Sequence, residues 1–156
     1  MAIVPAPSLE PLVDDPDDYR PDSRLAIVTD PGGPEGRVNA FCLIFEEVAP
    51  GDAIPLHRHP VDEVVVVLEG SAEVTLGATR HRPAPGSTVF IPARVAHGHR
   101  NVGEDILKIH AIFPGTTIEI EMLERNPAPG TEDRSPSHVV HDARTGGFHD
   151  VGDSLE

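Results

Sequence analysis

The stretch GDAIPLHRHPVDEVVVVLEG, residues 51–70, decides how this chain is read. In an extended strand successive side chains point to opposite faces, so His57 and His59 share one face and Arg58 points away from it. Glu63, four residues beyond His59, returns to that face if the chain stays extended or turns tightly at Pro60. Two imidazoles and a carboxylate on adjacent backbone make a compact N,N,O donor set for a divalent metal. An H-x-H pair alone is as often solvent-facing or hydrogen-bonded, so the surrounding sequence has to decide.

Working outward, β-rich runs occupy residues 41–48 (FCLIFEEV), 64–68, 72–76, 88–91, 106–113 and 116–122, each bounded by Gly, Pro, Asp or Asn. No window carries a sustained 3.6-residue apolar period, which argues against a long core helix. Six or more short strands in this span predict a β-sandwich or small barrel.

Around the histidines the sequence reads G-x5-H-x-H-x3-E-x6-G, from Gly51 to Gly70. Gly86 then begins G-x5-P-x-R-x2-H-x3-N, with Pro92, Arg94, His97 and Asn101. The first pattern resembles the first motif of the cupin superfamily at every position. The second resembles that family's second motif, except that Arg94 stands where a glycine is usual. The resemblance covers roughly residues 37–122. It implies an all-β jelly-roll β-barrel with extended N- and C-terminal arms, in which His57, His59, Glu63 and His97 hold one divalent transition metal ion. Fe, Mn, Ni, Co, Cu and Zn all suit such a donor set. Three ligands are expected from one hairpin and the fourth from a strand across the barrel.

The implied activity is that of a metal-dependent enzyme acting on a small organic molecule, with dioxygenase chemistry leading and Glu63 able to act as a base. An isomerase, cyclase or decarboxylase that consumes no oxygen is the second reading, and a non-catalytic small-molecule-binding cupin the third. The fold hosts all three. The complete ligand set favours an enzyme over a binder.

Other residues are read individually. His99, two beyond His97, faces the same interior and is a candidate proton shuttle, extra ligand or merely a hydrogen-bonded lining residue. In residues 106–113 the apolar face is Leu107, Ile109, Ala111 and Phe113, which leaves His110 on the outer side. Arg94 is expected in ordinary φ/ψ, either at the barrel mouth or on the surface. Cys42 reads as a small buried hydrophobe, and one cysteine excludes an intramolecular disulfide. His138, His141 and His149 read as exposed tail residues.

The 26 acidic and 12 basic residues give a formal charge of −14. That excludes non-specific nucleic-acid binding and docking on an anionic membrane. Residues 1–36 form an N-terminal arm with a possible short strand at 25–28, and residues 123–156 a Pro/Gly-rich tail, extended or partly disordered. These two segments carry net charges of −6 and −4. No signal-peptide pattern or membrane-length apolar run is present, so a cytoplasmic protein is expected. Residues 64–68 are apolar on both faces, so one face lines the barrel and the other meets another layer; the cupin resemblance implies that this layer is a second subunit, giving a homodimer with the N-terminal segment crossing between protomers.

Overall fold

A computed structural model describes residues 2–151. Among them thirteen strands follow one another with no α-helix. They are β1 (Glu10–Leu12), β2 (Arg20–Val28), β3 (Phe41–Val48), β4 (Ala53–Arg58), β5 (Glu63–Glu69), β6 (Ala72–Leu76), β7 (Thr79–His81), β8 (Thr88–Ile91), β9 (His97–Asn101), β10 (Leu107–Pro114), β11 (Thr117–Met122), β12 (His138–Asp142) and β13 (Phe148–Asp150). One sheet has the order β1-β2-β3-β10-β5-β8 and the other β13-β12-β11-β4-β9-β6-β7. Strands β3 to β6 alternate between the sheets, which is the winding of a jelly roll.

Alternation places the core. On β10 the residues Leu107, Ile109, Ala111 and Phe113 are buried, and on β5 so are Glu63, Val65 and Val67. They meet Val74, Ile91 and Ile118 from the remaining strands. Each fully buried Val, Leu or Ile contributes roughly 1.5–3 kcal/mol. The partners on the other face of β5, Val64 and Val66, are only half-buried.

The expected closed barrel is instead a sandwich whose two sheets share no strand pairing. Its sheet edges end in β1, β7 and β13, of three residues each, and β8, of four. Strands this short expose little unpaired backbone. At Gly70 the chain turns from β5 into β6 with φ +92°, and a Cβ there would lie 2.8 Å from the Ile106 carbonyl oxygen. Only glycine fits that turn.

The terminal segments, read above as arms, add strands to both sheets. β2 starts at Arg20, well before the expected strand at residues 25–28, and β12 and β13 extend the second sheet. Polar groups hold these segments where apolar periodicity is missing. The Arg125 guanidinium pairs with Asp17 and donates to the carbonyls of Pro16, Thr131 and Arg134. Residues 152–156 of the tail lie outside the described residues.

Candidate metal centre

β4 and β9 are neighbours with an uneven register. Ile54 faces His99 and His57 faces His97, so three steps on β4 match two on β9. The extra residue makes a β-bulge at 55–56, beginning with a proline that has no N–H to give the ladder. The bulge brings buried His57 opposite His97, and His57 Nδ1–H donates to the Pro55 carbonyl at 2.7 Å. His59, just past the end of β4, donates from Nδ1 to the Glu119 carbonyl at 2.6 Å. His97 Nδ1 does the same to the Val95 carbonyl at 2.9 Å. A carbonyl can only accept, so each neutral ring carries its proton on Nδ1 and has its lone pair on Nε2.

Residues 60–62 carry the chain from the second sheet to the first, where Glu63 opens β5 and faces inward. The ligand set is therefore divided differently from the expected hairpin plus one. The three histidines come from or beside neighbouring strands of one sheet, and Glu63 reaches in from the other. Its Oε2 lies 3.3 Å from His59 Nε2 and 2.7 Å from His97 Nε2. One ligand atom from each of the four residues falls within 4.8 Å of all the others. The His57 and His97 rings have centroids 4.3 Å apart, and those of His59 and His97 are 5.2 Å apart.

These residues fit a metal ion. His59 Nε2, Glu63 Oε2 and His97 Nε2 are buried and have no hydrogen-bond partner. With the ring protons on Nδ1, all three are acceptors aimed at one another, a repulsive arrangement unless a cation sits among them. Donors bound about 2.1 Å from a common ion stand roughly 3–4.2 Å apart, close to the spacing found. Burial, followed by the neighbouring His97 and His59, pushes the His57 pKa down to about 3, so its ring is neutral and able to ligate at pH 7. Burial raises the Glu63 pKa, whereas positive charge between its carboxylate and the Nε2 atoms of His59 and His97, supplied by a proton there or by a metal ion in its place, outweighs burial and holds the carboxyl well below the usual carboxylate range. Among the described residues no other group of His, Cys, Asp and Glu converges in this way.

His99 is buried with its ring centroid 6.1 Å from that of His97, and neither ring nitrogen has a partner. Burial pushes its pKa down to about 4. Sequence reasoning missed Arg20 and Glu46, which are also buried in the interior. Arg20 Nη2 donates to Glu46 at 2.5 Å and to Asp18 at 2.7 Å, while Nη1 is left without a partner. The charge of Arg20 is felt at His99 and that of Glu63 at Glu46, so the two clusters belong to one interior. The available signal was that Arg20 is the first basic residue of the chain and follows Asp14, Asp15, Asp17 and Asp18. That suggested an ion pair but not its place.

The remaining candidates lie elsewhere. His110 is on the outer face of the first sheet, stacked on Phe45. Arg58 is outside the centre, paired with Glu121 at 2.6 and 2.7 Å. Cys42 is buried, and burial pushes its thiol pKa up. His138 pairs with Glu119 at 2.8 Å, His141 packs on Phe148, and His149 is exposed. Arg94 overturns the expectation of ordinary φ/ψ. Its φ is +69°, alone among the described non-glycine residues, because the turn before His97 requires a left-handed residue whatever its side chain. The side chain is exposed.

A family model described as a cupin domain matches residues 44–113. The chain is 36% identical over 90 residues to auxin-binding protein 1 of Arabidopsis thaliana, an alignment covering 51% of this chain and 45% of that protein. It is 30% identical over 98 residues to auxin-binding protein T85 of Nicotiana tabacum, covering 56% of this chain and 52% of the relative. The chain thus spans about half the length of these curated relatives. The structure of the polyketide cyclase RemF from Streptomyces resistomycificus aligns with TM-score 0.62 at 23% identity, over 80% of this chain and 84% of that one. Oxalate decarboxylase from Bacillus subtilis aligns with TM-score 0.58 at 20% identity, over 72% of this chain and 30% of that one. At these identities the structural likeness is one of fold.

Proposed function

The chain belongs to the cupin superfamily, with a cupin domain at residues 44–113, and from that premise we propose that it is a metal-dependent enzyme acting on a small organic molecule, with dioxygenase chemistry as the leading reaction type. One observation carries this reading. Three Nδ1–H groups are spent on carbonyls, which turns three Nε2 lone pairs and one carboxylate toward a common point in the interior. His57, His59, Glu63 and His97 would hold a divalent ion there, and the ion would supply Lewis acidity toward a substrate oxygen.

The chain's own residues supply the rest. The carbonyls of Pro55, Val95 and Glu119 fix the three rings in tautomer and direction. Glu63, ionised at neutral pH, is placed to take a proton from a substrate hydroxyl. Val65, Val67, Ile109 and Phe113 exclude bulk water, and the Phe113 ring meets His59 edge-on at 4.9 Å. Arg20 Nη1 is a donor without an acceptor, suited to an oxygen of the bound molecule.

His99 favours a second reading, an isomerase, cyclase or decarboxylase that uses no oxygen. A buried imidazole with both nitrogens unpartnered, beside the ligand His97, is a proton carrier. The auxin-binding relatives bear on the third reading, a non-catalytic cupin that binds a small molecule. The test is elemental analysis of freshly purified protein, followed by turnover of enols and catechols with and without air. Oxygen consumption coupled to substrate loss supports the dioxygenase, and anaerobic turnover the second reading. No turnover, with a metabolite retained on purification, supports the binder. Protein that binds no transition metal overturns all three as metal-dependent readings.

A further inference from the structure

The interior holds a second polar layer beside the four candidate ligands. Asn101 Nδ2, on β9, donates to the Val48 carbonyl, on β3, at 2.8 Å and so ties the two sheets together. One inward-facing position back along each strand stand His99 on β9 and Glu46 on β3, both buried. β3 and β5 each run antiparallel to β10 and are therefore parallel to each other. The step from Val48 to Glu46 thus points the way Glu63 lies, as the step from Asn101 to His99 points toward His97. Arg20, 2% exposed, enters this layer through Nη2, which donates to Glu46 and Asp18.

The spacing from the ligands is that of a small ring. Glu46 and Val67 both stand opposite Ile109, and Val67 is four residues along β5 from Glu63, roughly 13 Å between backbones. Val65 and Ala111, opposite each other, form the apolar rung in between. On the other sheet the His97 and His99 rings have centroids 6.1 Å apart.

Three nitrogens of the layer, Arg20 Nη1 and both of His99, are buried with no hydrogen-bond partner among the described residues. Each such group costs about 1–3 kcal/mol while it stays unsatisfied. His99 is outside the converging set of four, so an ion held there leaves these nitrogens bare. Arg20 has no positive charge to spare either. Its guanidinium faces two carboxylates, so the cluster sums to −1 with Glu46 ionised. Burial raises the Glu46 pKa against the pull of Arg20, and with Glu46 protonated the sum is zero. At the other end Glu63 and one deprotonated oxygen of a bound molecule balance a divalent ion. A carboxylate in this layer would therefore be buried without a counter-charge. An uncharged oxygen can accept from Nη1, and a hydroxyl can also donate to the bare nitrogen of a neutral imidazole.

We propose that Arg20 and His99 form a second subsite for the molecule bound at the metal centre, and that it takes an uncharged oxygen, a hydroxyl before a carbonyl, and rejects a carboxylate. This rests on the metal-dependent reading above and gives it a substrate class: a neutral ring-sized compound with chelating oxygens at one end and a hydroxyl across from them.

Four hydroxypyranones that chelate through the same hydroxyl–ketone pair test it on the cobalt(II)-loaded full chain. Opposite that hydroxyl, pyromeconic acid carries hydrogen, kojic acid a hydroxymethyl, comenic acid a carboxylate and comenamide the uncharged amide. Binding is read from the cobalt absorption, each constant taken relative to that for free cobalt(II). Kojic acid is expected to bind about tenfold tighter than pyromeconic acid, and comenic acid at least about tenfold weaker than comenamide. Asp18→Asn, at a partly exposed carboxylate, narrows the gap between comenic acid and comenamide, and adding Glu46→Gln reverses it. The wild-type ranking and Asp18→Asn decide the outcome even where the double variant does not fold. Comenic acid that binds as tightly as comenamide overturns the proposal. So does kojic acid no tighter than pyromeconic acid, cobalt protein that binds none of the four, or a gap that Asp18→Asn leaves unchanged. Protein that takes up no cobalt is a different failure, which overturns the metal-dependent reading and the subsite with it.

Discussion

His97 Nε2 lies 2.7 Å from Glu63 Oε2, and the two residues belong to opposite sheets. The contact joins an imidazole lone pair to a carboxylate, so a cation is what makes it favourable. Glu63→Ala removes the only donor from the first sheet, and His57→Ala removes the partner facing His97. Each is expected to lower affinity for a divalent transition metal at least about a hundredfold. Elemental analysis after dialysis against a chelator checks this, and wild-type metal retention in both variants would sink the assigned centre.

Acid should weaken the metal-free protein at a pH set by buried histidines. His57 and His99 have folded pKa values pushed down to about 3 and about 4 from an ordinary 6.5, with burial the main cause in both. Below pH 6.5 the unfolded chain binds protons that the folded chain refuses, so unfolding gains free energy as pH falls. Stability is expected to be flat above about pH 7.5, and to drop by a few kcal/mol as the pH falls toward 4. His99→Gln removes one of the two groups and should make that slope shallower. Urea denaturation of chelator-treated protein across this range measures it, and a midpoint independent of pH between 7 and 4 would contradict the buried neutral state of both rings.

Arg94 holds a left-handed conformation that a glycine would take without strain. Its N–H donates to the His59 carbonyl at 2.7 Å, so the turn is tied to a ligand and does not relax. Left-handed backbone costs an ordinary residue roughly 1–2 kcal/mol, and glycine gives back part of that through unfolded-chain entropy. Arg94→Gly is therefore expected to stabilise the protein by roughly 0.5–1 kcal/mol, while Arg94→Ala, which keeps the strain, gains nothing. Urea denaturation of the two variants decides between strain relief and loss of a useful side chain. A destabilised Arg94→Gly would show that the side chain matters more than the turn.

What could be read from sequence follows from what spacing encodes. His57, His59, Glu63 and His97 were legible because strand alternation and fixed intervals between glycines are linear properties of the chain. The transfer of Glu63 to the opposite sheet was not, since a three-residue link after His59 reads alike whether it closes a hairpin or changes sheets. Arg94 showed as a departure from a glycine position, but its φ is imposed by the Pro92–Val95 turn and the bond to His59. Arg20 escaped notice because the acidic run before it suggests an ion pair but not burial, which depends on Glu46, 26 residues away. β12 and β13 likewise owe their place to backbone pairing with β11 and with each other, which hydrophobic patterning does not register.

Gly98 separates His97 from His99, and its small size sets how closely β9 approaches β4. A Cβ built there would lie 2.9 Å from the Ile54 carbonyl oxygen and 3.5 Å from Leu56 N, on either side of the bulge that brings His57 opposite His97. These are backbone atoms, so the contact cannot be relieved by rotating a side chain. Gly98→Ala must push the two strands apart by a few tenths of an ångström or distort the bulge. Overpacking of this kind costs typically 1–3 kcal/mol. Because His57 and His97 ride on the two displaced strands, metal affinity should fall along with stability. Chelator competition on folded Gly98→Ala protein, alongside its urea midpoint, measures both. A variant that loses stability but binds metal as tightly as wild type would show that the bulge, and not the strand separation, holds the two histidines in place.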